Sequence, residues 1–169
     1  IYQSLLKNDA YTEIVALKNV INKSNYYHPN FTFNKKRDHL IFSRCLRTVD
    51  EELLCDLYET SCRNGKWTKA TILGNHINGN DFTSTQPFLA EMGNSEVLYF
   101  VSNRPQGMGD MDIWFSVLGD GEFGEPINAG SGINTAGNEV TPFYDANAKV
   151  LYFSSDEWPG VGGYDIFRS

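Results

Sequence analysis

The sequence predicts an all-β chain made of β-propeller blades, because one strand-turn-strand pattern recurs along almost its whole length. The two clearest copies run over residues 97–114 and 150–167, and a weaker copy spans 40–58. Matching the ends of the pattern aligns Ile1, Leu57, Ile113 and Ile166, in steps of 56, 56 and 53 residues. This period is slightly longer than that of the common four-stranded propeller blade, so we expect about three blade units.

Two smaller repeats mark the boundary of each unit. An Ile-Asn pair recurs at 21–22, 77–78 and 133–134. A proline follows each pair, and we expect it to open the next strand, where its missing N–H costs little. These prolines are Pro29, Pro87 and Pro142.

The repeat divides the chain into four parts. We expect residues 1–27 to end one blade, 28–82 and 83–138 to form two blades, and 139–169 to form the inner strands of a further blade. In this phase the sequence starts and stops within third strands, which predicts one portion of a larger propeller of roughly six to eight blades. The other blades would come from the rest of its own chain or from other protein subunits. Alone, the segment is expected to self-associate through unpaired strand edges.

Period-two alternation and aromatic enrichment predict strands in six segments. They are 31–33, 40–43, 57–60, 97–102, 113–117 and 150–155. Residues 11–20 carry apolar side chains at helical spacing, but their alignment with 123–129 favours the outer end of a blade.

Composition limits the class of partner. The chain has 169 residues, of which 41% are hydrophobic and 14% aromatic, so it is expected to fold around a core. Its net charge of −7 disfavours a nucleic-acid partner, because phosphate binding needs clustered Lys and Arg. The basic cluster at 35–37 is typical of a solvated turn. The longest apolar run, 97–101, is too short for a transmembrane segment, and we predict none.

Three aspartates, Asp56, Asp112 and Asp165, recur immediately before the third-strand motif. The glycines at 107–109 and 160–163 precede strands rather than helices, so they indicate hairpin turns and not phosphate loops. A carboxylate beside such a turn can accept amide hydrogen bonds and hold it. A metal ligand is the alternative, but successive blades would spread the carboxylates too far apart to share one ion. We predict a structural role for all three, with no metal and no other cofactor.

All three cysteines lie in the first full unit, at Cys45, Cys55 and Cys62. Cys45 ends one predicted strand and Cys55 begins its partner, so they can face each other and form a disulfide in an oxidising compartment. Free buried thiols are the alternative. A zinc site that includes His39 is disfavoured because the sequence has no C-x-x-C pair.

Catalytic signals are weak. The sequence contains no G-x-S-x-G or H-E-x-x-H motif, and its histidines at 28, 39 and 76 are scattered. Propeller glycosidases draw two carboxylates from separate blades, and acidic residues that break the repeat offer such pairs. These residues are Glu51, Glu52, Glu91 and Asp145. A chain with 21 acidic residues offers such pairs by chance, so we predict no catalytic residue and no enzymatic activity.

Essentially the whole chain, most strongly from Gln86 to Ser169 and weakly before Tyr27, resembles the WD40-like propeller repeat called PD40, which is shared with the TolB propeller. The resemblance rests on 141–144, 151–155 and 162–167, with Gly121-x-Phe123 and the stretch 133–139. This fuller pattern is similar to the version common in Bacteroidetes envelope proteins. Those proteins often join the propeller to tetratricopeptide repeats and a peptidoglycan-binding OmpA-like domain, and some belong to the type IX secretion apparatus.

The resemblance implies a non-catalytic protein-binding or scaffold propeller of the bacterial cell envelope, either periplasmic or associated with the outer membrane. Its partners would be other protein subunits or the remainder of its own chain, and peptidoglycan through a linked domain. Two other classes stay open: a propeller with a glycosidase or peptidase site, and one that binds a glycan or peptide. One departure from the pattern stands out, because residues 46–54 replace the glycine turn and indicate a specialised loop.

Overall fold

The computed structural model describes residues 1–17 and 21–169, and it confirms the all-β fold class. The end of the 11–20 stretch lies outside these residues. Four short strands come first: β1 (Tyr2–Gln3), β2 (Leu6–Lys7), β3 (Ala10–Tyr11) and β4 (Val15–Ala16). Within the described part of the chain, no helix is long and apolar enough to cross a bilayer.

Three larger antiparallel sheets follow, which we call blades 1, 2 and 3. Blade 1 contains β5 (Phe31–Phe33), β6 (His39–Arg47), β7 (Leu53–Arg63), β8 (Lys66–Trp67) and β9 (Thr71–Ile72). Blade 2 contains β10 (Ser84–Met92), β11 (Ser95–Ser102), β12 (Asp112–Gly119), β13 (Glu122–Phe123) and β14 (Ile127–Asn128). Blade 3 contains β15 (Glu139–Asp145), β16 (Val150–Ser155) and β17 (Asp165–Arg168).

The strands of each blade pair in chain order. Blade 1 has the order β5-β6-β7-β8, blade 2 has β10-β11-β12-β13, and blade 3 has β15-β16-β17. The outermost strand is split in two, because β9 also pairs with β7 and β14 also pairs with β12. The small ladders β1-β4 and β2-β3 have the same antiparallel form. This arrangement of successive meanders is the architecture of propeller blades.

The blades pack face to face, and a hydrophobic cluster fills each interface. Leu57 of blade 1 and Ile113 of blade 2 occupy equivalent third-strand positions and are fully buried, because the following blade covers them. Their equivalent in blade 3, Ile166, is 80% exposed. The core of this chain therefore lies between its sheets.

A buried asparagine from each inter-blade loop fastens the third strand of the preceding sheet. The side-chain oxygen of Asn78 accepts the Leu57 N–H at 2.8 Å, and its amide group donates to the Leu57 carbonyl at 3.0 Å. Asn134 makes the same two contacts with Ile113, each at 2.9 Å. Asn22 meets the same two backbone groups of Ile1. The repeated Ile-Asn pair thus supplies hydrogen bonds that an intact fourth strand would otherwise make.

The isoleucine carbonyl of each Ile-Asn pair is capped by a side chain of the next blade, which lies within the second strand in blade 1 and just after it in blades 2 and 3. Arg44 donates to the Ile21 carbonyl at 3.0 Å, and Arg104 donates to the carbonyl of Ile77. In blade 3 the donor changes, because the indole N–H of Trp158 bonds to the Ile133 carbonyl at 2.8 Å. Burial lowers the pKa of Arg104 to about 10.

Candidate functional site

The first strands of the three blades converge on one groove with a volume of about 320 Å³. In a propeller these strands surround the central channel, which is a common place for a binding site. The groove is lined by Pro29, Asn30, Phe31, Gln86, Pro87, Phe88, Thr141 and Pro142.

The repeated prolines position this groove. Pro87 and Pro142 lie inside β10 and β15, so the expectation that each proline opens a strand is wrong for these two. The ladder from β10 to β11 shifts register across Gln86 and Pro87, and the ladder from β15 to β16 shifts across Thr141 and Pro142. A bulge leaves the extra residue unpaired, so proline loses no ladder bond there. Pro29 does precede its strand, β5.

The two bulges form a polar, conformationally restrained rim. Gln86 and Thr141 have positive φ angles of 49° and 55°, which are uncommon for residues other than glycine. The side-chain oxygen of Gln86 accepts the Thr141 N–H at 2.6 Å and links blade 2 to blade 3. The backbone N–H of Gln86 donates to the Ser43 hydroxyl of blade 1 at 3.2 Å. Such backbone conformations persist when the surroundings fix them, and they cluster at functional sites.

Aromatic rings border the groove beside these amides. Phe88 packs edge-on against Phe143 of blade 3, with ring centroids 5.1 Å apart. Phe31 and Phe143 are 48% and 51% exposed, which is unusual for phenylalanine in a packed sheet. Asn30 uses its carbonyl to accept the Ser43 N–H at 2.9 Å, which leaves its side-chain amide to line the groove. The site therefore combines exposed apolar rings with uncharged hydrogen-bonding groups.

No acidic side chain is found among the described residues that line this groove. The carboxylates that the sequence singled out lie elsewhere. Glu51 and Glu52 are exposed at the turn between β6 and β7, and Glu91 pairs with Lys35 at 3.0 Å. Asp145 ends β15 and accepts two backbone N–H groups of its own turn. The structure does not bring these four carboxylates together into a site.

Two of the repeated aspartates hold glycine turns. Asp112 is fully buried, and its carboxylate accepts the N–H groups of Met108 and Gly109. It also accepts the side-chain amide of Asn128 at 2.8 Å. Asp165 accepts the N–H groups of Val161 and Gly162 at 2.7 and 3.0 Å. Both carboxylates therefore act inside their own hairpins.

Asp56 occupies the same repeat position, but a disulfide lies next to it instead of a glycine turn. Blade 1 has no glycine turn here, and burial raises the pKa of the Asp56 carboxyl. Its neighbour Cys55 forms a disulfide with Cys45, the residue directly opposite in the β6–β7 ladder. In blade 1 a disulfide therefore joins the two strands of the hairpin, whereas in blades 2 and 3 an aspartate carboxylate holds the turn by accepting two backbone N–H groups.

A second cleft, of about 520 Å³, lies between the outer parts of blades 1 and 2 and brings two of the scattered histidines together. His39 pairs with Glu59 at 2.9 Å, and His76 is 2.6 Å from the carbonyl oxygen of Phe123. Each imidazole therefore already has a partner within the protein. Over residues 1–17 and 21–169, no three His, Cys, Asp or Glu side chains cluster as metal ligands.

Comparison with known proteins supports the fold. No protein-family model and no curated protein matches the chain, so the resemblance to PD40 stays a prediction. Among solved structures, the chain is similar to a mutant α-L-arabinofuranosidase of Fusarium graminearum in complex with an iminosugar inhibitor, at 14% identity and a TM-score of 0.52. It is also similar to a thermostable family-43 glycoside hydrolase, at 11% identity and a TM-score of 0.54.

These alignments cover 85% and 99% of this chain, but only 43% and 66% of the two matched chains. At such low identity the likeness concerns the fold alone. The chain is therefore all-β, built from several antiparallel sheets that are consistent with part of a β-propeller.

Proposed function

We propose that this chain forms part of a propeller that binds a glycan in the groove between its first strands and does not cleave it. The observation that carries the proposal is the composition of that groove. The half-exposed ring of Phe31, the partly buried ring of Phe88 and two side-chain amides line it, and its described residues include no carboxylate.

The chemistry of this lining suits an uncharged sugar. Each face of a pyranose or furanose ring presents C–H groups that pack on aromatic rings such as Phe31, while its hydroxyls exchange hydrogen bonds with amides such as Asn30. A groove with an apolar surface and a few fixed polar groups also orients its ligand. The likeness to two glycoside hydrolases, one of them solved with an iminosugar inhibitor, agrees with this class of ligand.

The proposal that the ligand is not hydrolysed rests on what the reaction needs. Glycoside cleavage uses two carboxyl groups roughly 5 to 10 Å apart on either side of the scissile bond. Asn30, Gln86 and Thr141 occupy the groove instead, and none of them can act as a carboxylic acid or as its conjugate base. Binding without cleavage is therefore the simpler function for this lining.

We also propose that the protein works outside the cytoplasm. The Cys45–Cys55 disulfide supports this compartment, because such bonds persist in oxidising surroundings. Together with the resemblance of the repeat, this favours a bacterial envelope protein, periplasmic or outer-membrane-associated, and a glycan of the envelope or of the medium as its ligand. A scaffold role in an envelope or type IX secretion assembly is compatible with such binding.

The test is calorimetric titration with a panel of neutral oligosaccharides (arabinan, xylan, cellulose and chitin fragments), combined with chromatography of the mixtures after long incubation. We expect at least one fragment to bind and to remain intact. Asn30→Ala and Phe31→Ala should each weaken that binding at least fivefold, whereas Asn80→Ala, an exposed asparagine outside the groove, should not. Release of shorter sugars by the chain, or binding that both groove variants leave unchanged, would contradict the proposal.

A further inference from the structure

The ladder of the hairpin that joins β6 to β7 is longer than the ladders of the corresponding hairpins in blades 2 and 3. In blade 2 the ladder ends at the pair Ser102–Asp112, which is equivalent to Arg44–Asp56 in blade 1. In blade 1 the ladder continues for three more pairs, through Cys45–Cys55 to the last pair formed by residues 47 and 53. We call residues 45–55 the finger.

The finger is braced at its base by three independent contacts. The Cys45–Cys55 disulfide joins its two strands. Tyr27 pairs with Cys45 through two backbone hydrogen bonds, of 2.9 and 2.8 Å. On the other side, the Cys55 N–H donates to the hydroxyl of Thr83, which belongs to the loop before blade 2. Because both sides are fixed, little conformational freedom remains to be lost when the finger binds a partner.

The tip of the finger presents apolar side chains to solvent. Val49 is 98% exposed, and Leu46 and Leu53 are 46% and 43% exposed. The turn is closed by backbone hydrogen bonds from Thr48 to Glu52 and from Glu51 to Thr48. Val49 thus stands at the end of the finger, with Leu46 and Leu53 on its two faces, and together they offer apolar surface that a partner would cover.

The charge around the tip defines the kind of partner. Asp50, Glu51 and Glu52 surround Val49, and Arg47 compensates only one of them, with its guanidinium 3.8 Å from the Glu51 carboxylate. A surface with a basic rim would be complementary. Anionic lipid and nucleic acid would be repelled by the same carboxylates.

We propose that the finger docks into a protein partner that has an apolar pocket rimmed by lysine or arginine. Val49 enters the pocket, Leu46 and Leu53 pack on its walls, and the acidic residues meet the basic rim. This surface is separate from the glycan groove, so the proposal does not depend on glycan binding.

The test uses a photo-crosslinking amino acid in place of Val49, in cells that express the protein. The matched control carries the same label at Val161, which is 100% exposed in the turn of blade 3. We expect a defined adduct at position 49 only, and mass spectrometry should map it to an apolar site with neighbouring Lys or Arg. Against that purified partner, Val49→Asp should weaken binding at least tenfold, Asp50→Lys should weaken it and reduce its salt dependence, and Val161→Asp should do neither.

Several outcomes would overturn the proposal. They are an adduct with a second copy of the chain, equal labelling from positions 49 and 161, no adduct at position 49, and binding to vesicles of phosphatidylglycerol that requires Val49. Exchange of both Cys45 and Cys55 for serine gives a further measurement. This change should weaken binding of the partner at least threefold and leave glycan binding by the folded protein unchanged, because neither cysteine lines the groove.

Discussion

Replacing Asn78 with alanine should remove the hydrogen bonds that join the third strand of blade 1 to the loop that follows this blade, and should destabilise the protein. The side chain is buried and makes three hydrogen bonds of 2.8 to 3.0 Å, to the N–H and carbonyl of Leu57 and to the carbonyl of Leu73. The Leu57 carbonyl would keep its bond from the Leu73 N–H, whereas the other two backbone groups would lose this partner. At about 1 kcal/mol for each lost bond, the free energy of unfolding should fall by about 3 kcal/mol.

Thermal and urea denaturation would measure this loss. For a chain of this size, 1 kcal/mol corresponds to about 2–4 °C in Tm, so Asn78→Ala should lower Tm by about 6–12 °C. Asn78→Asp tests the mechanism, because one carboxylate oxygen still accepts the Leu57 N–H while the other faces two carbonyls. The folded state then raises the pKa of the new carboxyl, so its penalty should be full near pH 7. Below about pH 4 the penalty should fall to roughly that of one lost hydrogen bond, because a single O–H cannot donate to both carbonyls.

The control is Asn80→Ala, in the same loop but exposed, and it should change stability by no more than about 0.5 kcal/mol. The reasoning fails if Asn78→Ala and Asn80→Ala cost the same. It also fails if Asn78→Ala costs less than about 1 kcal/mol with an unchanged urea m value, since the three hydrogen bonds would then contribute little.

Three further predictions concern the hairpins. Asp112→Ala should lower Tm more than Asp165→Ala in denaturation scans, because Asp112 is buried and accepts a third bond from a side-chain amide. Asp56→Asn should raise Tm near pH 7, because burial raises the pKa of Asp56 and its ionised form opposes folding; the gain should vanish as pH falls below about 4. Exchange of both Cys45 and Cys55 for serine should cost about 3 kcal/mol in urea denaturation, as expected for a disulfide that closes so short a loop.

Each of these predictions has an outcome that contradicts it. A larger loss at Asp165 than at Asp112 would mean that burial does not set the strength of the turn. A loss of Tm in Asp56→Asn at neutral pH would reveal a favourable partner for that carboxylate. A double-serine variant as stable as the parent would show that the contacts from Tyr27 and Thr83 hold the finger without the disulfide.

The strand positions could be predicted from the sequence because alternation and spacing are local properties. All six predicted segments fall inside observed strands, from Phe31–Phe33 to Val150–Ser155. The role of Pro87 and Pro142 could not be predicted in the same way. A proline that opens a strand and one that sits in a bulge have the same local signature, and only the register of the neighbouring strand separates them.

The groove also could not be predicted from the sequence, and the reason is physical. Asn30, Gln86 and Thr141 are about 55 residues apart in the chain, and they meet only because each blade is rotated relative to the last. The caps on the isoleucine carbonyls were missed for another reason. Arg44 and Arg104 stand at different positions in their blades, and blade 3 uses Trp158 instead, so a search for identical residues at the repeat spacing does not align the three donors.

The asparagine and arginine contacts have a consequence for how such a chain can grow. Asn78 lies 21 residues after Leu57 and completes the hydrogen bonds of the blade 1 strand that contains Leu57. Arg104, which donates to the carbonyl of the adjacent Ile77, belongs to blade 2. The smallest stretch with a full set of contacts therefore straddles two sheets. A duplication event that copied one sheet without the loop that follows it would yield a sheet whose third strand has an unpaired backbone N–H and carbonyl group. A copy of one whole period would keep every contact wherever its breakpoints fell, so selection on duplicated genes would preserve the period rather than the sheet.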